Sequence, residues 1–107
     1  MTVIVPTVGR IVWYWPAEYM DLKQPFAAIV TYVHSDRLIN LSAFLPSGEH
    51  TIGRMNVPLL QEGDIFPEPG TISFAVWMPY QMGQAKKAEI AESALAKGFT
   101  VIPEKTK

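Results

Sequence analysis

The residues of this sequence that could do chemistry are aromatic rings and two arginines. Rings with a polar edge recur in three short runs of the chain, at Trp13, Tyr14, Trp15, Tyr32, Trp77 and Tyr80. Such rings stack on nucleotide bases, and a neighbouring guanidinium binds phosphate through paired hydrogen bonds. Near neutral pH a histidine can add a hydrogen bond. The predicted ligand-binding set is Arg10, Trp13, Tyr14, His34, Arg54, Trp77 and Tyr80; the alternative for each ring is a place in a small core.

Most catalytic and metal-binding patterns are absent from the sequence. The tripeptide His-Ser-Asp at 34–36 has the residue types of a hydrolase triad, but neighbours on an extended chain point to opposite sides, so we predict a turn. A group of three acidic residues, Glu62, Asp64 and Glu68, could act in acid–base catalysis or bind a hard cation. Their spacing is not that of a calcium-binding loop, so we predict a solvated loop. Phosphate-binding glycine loops and paired histidines at metal spacing are missing. We therefore expect neither an enzyme, nor a metal site, nor a cofactor.

The composition describes one globular domain without disulfides. The chain has 107 residues, of which 49% are hydrophobic, and it contains no cysteine. A chain this apolar collapses rather than staying disordered. Its net charge of −1 creates no field that attracts nucleic acid or an acidic membrane, so neither is an expected partner. The first residues lack signal-peptide features, and no apolar run approaches the roughly 20 residues needed to cross a bilayer.

Turn-forming residues divide the chain into short β-branched and aromatic runs, which indicate strands. We predict strands over 9–15, 26–34, 38–45, 51–60 and 71–78, followed by a helix over 83–97. The predicted fold class is mainly β, a small antiparallel five-stranded SH3-like or OB-like barrel followed by one C-terminal α-helix. The predicted division is a barrel domain over 1–82 and a helix with its tail over 83–107.

Two local features of the predicted strands carry further expectations. Successive Trp13, Tyr14 and Trp15 face alternately, so at least one ring must leave the core face and mark a ligand or subunit surface. Pro58 cannot donate a ladder hydrogen bond, so the fourth strand should end there or lie on an edge.

The C-terminal part of the chain has the composition of an amphipathic helix. Ala88, Ala91 and Leu95 lie on one apolar stripe, joined by Ile90 and Ala94, and Gly98 is expected just after the helix end. Residues 99–102 would then add a short strand or pack down. The uncharged segment 78–84 suits an adaptable contact surface, and the alternative is an ordinary connector.

The opening of the chain carries the sequence Pro-Thr-Val-Gly-Arg-Ile-Val-Trp-Tyr at 6–14. It resembles the opening of a widespread group of small, mostly uncharacterised phage proteins, which often begin Pro-x-x-Gly-Arg-Ile-Val-His-Tyr. The chain also has the group's Ala-Ala-Ile-Val at 27–30, Asn-Val-Pro at 56–58 and a Trp-containing segment at 77–79. The chain departs from the group at Trp13, where His is frequent, and in its longer helix. The resemblance implies a phage-encoded accessory protein in the host cytoplasm and supplies no activity.

The favoured hypothesis is a non-enzymatic protein that binds and sequesters a small nucleotide-type immune signal of the host. It is based on a surplus of Trp and Tyr beside isolated arginines, with no catalytic set. The alternatives are an interaction module that inhibits a host defence or transcription complex, and a minor virion or single-stranded nucleic-acid-binding protein. We also expect a homo-oligomer, because a small domain with surface aromatics gains core area by pairing.

Overall fold

The computed structural model describes residues 2–18, 23–68 and 70–96. Five strands are followed by one helix, with the bounds β1 (Ile11–Trp15), β2 (Phe26–Ser35), β3 (Leu38–Phe44), β4 (Thr51–Leu60), β5 (Phe74–Val76) and α1 (Pro79–Ala96). The prediction of a mainly β chain with a C-terminal helix is confirmed. Within the described ranges, no helix is both long and apolar enough to span a membrane.

The five strands close into a barrel in sequential order, but the prediction of purely antiparallel pairing is wrong. β1 to β4 form an antiparallel meander, and β5 pairs antiparallel with β1. β5 therefore runs parallel to β4, its other neighbour. A closed ring with an odd number of strands cannot alternate in direction all the way round, so at least one parallel pair of neighbours is unavoidable.

Alternate residues of the strands fill the barrel interior. Val12 and Tyr14 of β1 and Ile39 of β3 are fully buried. Within each strand, the residues that alternate with the buried ones point outward, because successive side chains of a strand face opposite sides. Trp13 and Trp15 are accordingly half-buried on the outer face. The expectation that at least one of these rings leaves the core face is confirmed.

The prediction that the fourth strand ends at Pro58 or lies on a sheet edge is wrong. β4 continues two residues beyond Pro58, and in the closed barrel it lies between β3 and β5. Pro58 pairs in register with Leu38 of β3. The next residue, Leu59, donates its N–H to the Arg37 carbonyl at 3.0 Å. The proline therefore occupies a ladder position where its missing N–H leaves no carbonyl of β3 stranded. β5 is shorter than predicted and spans three residues.

α1 begins at Pro79, earlier than the predicted residue 83. Proline suits the first helical position, where an N–H would lack an intrahelical partner. Met78 donates its N–H to Gln81 Oε1 at 2.8 Å, which is the backward half of a capping box. Gln81 Nε2 donates in turn to the Ile11 carbonyl at 2.9 Å and ties the helix to β1. Most of segment 78–84, interpreted above as a contact surface or a connector, is thus the first turns of the helix.

The beginning of α1 packs on the barrel core, and its middle is tied down by polar contacts, since Glu89 Oε1 accepts the Thr2 hydroxyl at 2.7 Å. Met82 and Ala85 lie against the core cluster. Of the predicted apolar stripe, Ala88 and Ile90 are exposed and Ala91 is half-buried. The expectations for the Leu95 side chain, for Gly98 and for 99–102 lie outside the described residues.

An N-terminal segment, residues 2–6, lies against the chain that follows β4 and is held there by Gln61. The Gln61 Oε1 accepts the Ile4 N–H at 3.0 Å, and its Nε2 donates to the Ile4 carbonyl at 3.0 Å and to the Asp36 carbonyl at 2.8 Å. This buried amide thus pairs with both backbone groups of Ile4, as a neighbouring strand would. It joins the N-terminal segment, the β2–β3 hairpin and the end of β4.

Replacing Gln61 by Leu leaves an N–H and two carbonyls without their partner. We expect the free energy of unfolding to fall by roughly 2 to 4 kcal/mol, because an unpaired buried polar group costs about 1–3 kcal/mol. Urea denaturation followed by tryptophan fluorescence measures the loss. Gln84→Leu, at an exposed position of α1, is the matched control and should change stability by less than about 0.5 kcal/mol. Equal losses in the two variants would contradict this role of Gln61.

Candidate functional site

The seven predicted site residues do not form one cluster. Arg10 and Trp77 are in contact, since the guanidinium carbon of Arg10 lies 5.3 Å from the centroid of the indole ring. This distance is within the range of a cation–π interaction. The pair lies at the barrel end where β1 begins and β5 has just ended.

Tyr14 and Trp77 belong to the core, with 0% and 4% of their surface exposed. An enclosed ring offers no face to a base, so at these two positions the structure shows the alternative, core packing. The Tyr14 hydroxyl and the Trp77 indole N–H are buried without a hydrogen-bond partner in the described part of the chain. The Tyr14 hydroxyl interacts electrostatically with the nearby Arg54 guanidinium but does not reach hydrogen-bond geometry.

Arg54 is engaged by a carboxylate rather than free to bind phosphate. Its Nη2 lies 2.7 Å from Glu18 Oε2, and its Nη1 donates to the Gly53 carbonyl at 3.0 Å. The hydrogen bond between the two side chains raises the pKa of Arg54 and lowers the pKa of Glu18. A phosphate group at Arg54 would have to displace Glu18.

His34 belongs to the β2–β3 hairpin and supports a bulge in β4. Its ring packs edge-on against Tyr32 with centroids 4.9 Å apart, and its Nε2 lies 3.0 Å from Asn40 Oδ1. The same oxygen accepts the Asn56 N–H at 2.9 Å. Asn56 has a φ of 55°, a left-handed conformation that Asn adopts more readily than most residues. No contact among the described residues joins His34 to Arg10.

Trp13 and Tyr80 are the predicted ring residues that remain accessible. Trp13 is half-buried on the outer face of β1, and Tyr80 is 74% exposed in the first turn of α1. Because the next residue, Gln81, is bonded to the Ile11 carbonyl, Tyr80 lies at the same barrel end as Arg10. Arg10 is exposed and, unlike the other two arginines, has no carboxylate partner in the part of the chain described.

Sequence reasoning missed a groove at this barrel end. It lies between the chain after β4 and the start of α1, and its volume is about 250 Å³. Residues 61–64 form one wall, and the apolar lining comes from Leu60, Phe66, Val76, Trp77, Pro79 and Met82. These residues come from two separate stretches of the chain, 60–66 and 76–82, so no single local pattern joins them. Two local signals in the sequence indicate parts of its walls. They are the alternation of inward and outward side chains along β4 and the Pro-Tyr-Gln sequence at 79–81 that starts the helix.

Two ion pairs stand beside the groove. Lys86 Nζ lies 2.7 Å from Glu62 Oε2, and Arg37 binds Asp64 through two nitrogens at 2.9 and 3.2 Å. The Lys86 ammonium lowers the pKa of Glu62 to about 2, and the Arg37 guanidinium lowers the pKa of Asp64. Both carboxylates are therefore ionised and paired at neutral pH, which makes them poor proton carriers. The described residues contain no group of three or more His, Cys, Asp or Glu side chains placed to hold a metal ion.

Comparison with known proteins adds no relative. No protein family, no curated protein and no solved structure matches this chain.

The Glu62–Lys86 pair makes stability depend on pH. Because the folded pKa of Glu62, about 2, lies below the usual 4.5, its contribution is present above about pH 4.5 and is lost as the pH falls towards 2. Glu62→Gln should flatten this part of the stability curve, measured by denaturant titrations between pH 7 and pH 2. Glu49→Gln, at an exposed turn position, is the matched control and should keep the wild-type slope. An unchanged slope in Glu62→Gln would refute the assignment.

Proposed function

We propose that this protein is a non-enzymatic interaction module that binds an apolar segment of another protein at the barrel-end groove. The observation that carries the proposal is the apolar surface on the connection between β4 and β5. Ile65 is 87% exposed there and Phe66 is 61% exposed, and Ile72 is exposed further along. Contiguous apolar side chains on the surface of a small domain mark sites that a partner covers.

The loop that presents these side chains is held in place before any partner arrives. Gly63 has a φ of 90°, a conformation that glycine adopts without strain. The Asp64 carboxylate accepts the Gln61 N–H at 2.8 Å as well as its two bonds from Arg37. The Phe66 ring packs edge-on against Phe74, with centroids 5.6 Å apart. A fixed loop lowers the entropy cost of binding, which favours recognition by shape.

The chemistry of the groove favours an apolar anchor over a charged one. Its lining is mainly aliphatic and aromatic, and the carboxylates beside it are already paired with Lys86 and Arg37. A charged partner group would have to break one of these pairs, whereas an apolar side chain gains about 25 cal/mol for each Å² it buries. The fitting ligand is a protein segment that inserts one large apolar side chain and covers Ile65 and Phe66.

The resemblance of residues 6–14 to the opening of a phage protein group supports a host protein as the partner, met in the host cytoplasm. A component of a host defence or transcription complex fits this proposal. For the finer fold type, the sequential strand order supports an SH3-like barrel over an OB-like one, since OB-folds have Greek-key connections.

A second candidate, the sequestration of a small nucleotide-type signal, is favoured by one observation at Arg10. This guanidinium is exposed, is free of carboxylates among the described residues and is held over the Trp77 ring. A nucleotide bound here would contact Arg10 and the exposed Tyr80. Arg54, His34 and the buried rings would take no part in binding it. A single cation is a modest phosphate site, so this candidate ranks second.

Ile65→Ser tests the interaction surface without touching the core, because Ile65 is almost fully exposed. We expect the wild type to retain one host protein in stoichiometric amounts from lysate, and Ile65→Ser to retain at most about a tenth as much, a loss of roughly 1.4 kcal/mol. Quantitative mass spectrometry measures the retained protein. Ile90→Ser, an exposed position on α1, should bind as the wild type does. Equal retention by both variants would contradict the proposal.

Arg10→Ala tests the second candidate with Arg54→Ala as its matched control. If ADP-ribose or a cyclic dinucleotide binds, calorimetry should show a loss of roughly tenfold or more for Arg10→Ala, since a charge-assisted hydrogen bond contributes about 1.5–3 kcal/mol. Arg54→Ala should leave the affinity unchanged, because Arg54 is held by Glu18. No binding by the wild type, or a larger loss at Arg54, would eliminate this site.

A further inference from the structure

The N-terminal segment, residues 2–6, has the side-chain alternation of a strand but pairs with no strand of the described chain. Ile4 is buried, whereas its neighbours Val3 and Val5 are exposed. On one edge of the segment the backbone partner is the Gln61 amide, which accepts the Ile4 N–H and donates to the Ile4 carbonyl. A side chain thus takes the place of a neighbouring strand along this edge.

The opposite edge of the N-terminal segment is open within the described chain. Backbone groups of successive residues in an extended chain point to opposite edges, so those of Val3 and Val5 lie on the edge away from Gln61. Neither the N–H nor the C=O of these two valines has a hydrogen-bond partner among residues 2–18, 23–68 and 70–96. Unpaired backbone donors and acceptors at alternate residues form the pairing surface for another extended strand.

The sequence after α1 contains a segment with the composition of a strand. Residues 99–102, outside the described ranges, are Phe-Thr-Val-Ile, and we name them the C-terminal segment. All four are residue types enriched in strands. Pro103 follows them, just as Pro6 ends the N-terminal segment, and a proline donates no ladder hydrogen bond. The two segments therefore match in residue type and in the way they end.

The position of α1 brings the C-terminal segment within reach of the open edge. Glu89 Oε1 accepts the Thr2 hydroxyl at 2.7 Å, so the helix passes the N-terminal segment at this point. α1 ends at Ala96, about 10 Å further along its axis. Three residues of extended chain span about 10 Å, which is enough for residues 97–99 to cover the return. The C-terminal segment can then lie alongside the open edge.

We propose that the C-terminal segment pairs with the open edge of the N-terminal segment in the same chain and adds a strand there. Pairing gives the backbone groups of Val3 and Val5 their partners and covers both side chains. The short connection to α1 favours this occupant over a second copy, because it holds the segment at an effective concentration of roughly millimolar. The inference does not depend on the proposed function, since neither valine lines the barrel-end groove.

Amide hydrogen exchange followed by NMR tests this pairing in the intact chain. The amides of Val3 and Val5 should be protected in the wild type and exchange roughly tenfold faster in Val101→Pro, because a proline disrupts the hydrogen bonds of a paired strand. Thr106→Pro, beyond the C-terminal segment, is the matched control and should keep the wild-type protection. The Ile4 amide, which has its partner in the barrel, is the internal reference and should stay protected in both variants.

A disulfide cross-link identifies the copy that supplies the strand, since the sequence contains no cysteine of its own. Facing residues of paired strands lie about 5 Å apart, which is the spacing of a disulfide. On oxidation, Val5→Cys should cross-link with Val101→Cys or with Ile102→Cys and keep the mass of one chain. Unprotected valine amides in the wild type, protection that rises with protein concentration, unchanged protection in Val101→Pro, or a disulfide-linked dimer would overturn the proposal.

Discussion

The structure depends on closing a ring of five strands at a short parallel seam. β4 and β5 share two residue pairs, whereas β3 pairs with each of its neighbours at six positions. Hydrogen bonds and ion pairs of side chains add to the few backbone pairings between β4 and β5. At one end of β4, the Gln61 amide binds the backbone of the N-terminal segment. Nearer its other end, Arg54 reaches Glu18 after β1, where the Ala17 N–H also donates to the Ser73 hydroxyl at 2.8 Å.

The parallel seam also explains where the exposed apolar surface lies. Two parallel neighbours cannot be joined by a tight hairpin, because the chain must return along the barrel before it enters the second strand. The connection between β4 and β5 makes that return, and Ile65, Phe66 and Ile72 are exposed along its described parts. The brief β5 then leads at once to Trp77 and α1, which complete the groove. The proposed binding surface is thus a direct consequence of the odd strand number.

Local patterns in the sequence predicted local structure well, and failed where the answer depends on distant residues. The fourth strand, 51–60, has the predicted bounds because turn signals in the sequence, at 46–48 and 63–64, delimit it on both sides. The helix start was missed although Pro79 and Gln81 give the local signal of a proline at the first position and an amide at the third. Arg10 and Arg54 look equivalent in the sequence. A glutamate 36 residues away occupies Arg54 and leaves Arg10 free of such a partner among the described residues, and no spacing rule reveals that difference.

Several features of this barrel lower its free energy of unfolding, and a small domain has little of it to lose. A single small domain has a net stability of only about 5–15 kcal/mol. The buried Tyr14 hydroxyl and Trp77 indole N–H lack hydrogen bonds in the described chain, and Gly53 and Gly83 interrupt a strand and a helix without being required there. Each glycine costs about 0.5–1 kcal/mol relative to alanine. Trp77 lines the groove, so one of these four costs falls on the proposed binding surface. A partner that covers the groove would add favourable apolar burial at the same place, so a weak point of the fold and the proposed binding surface coincide.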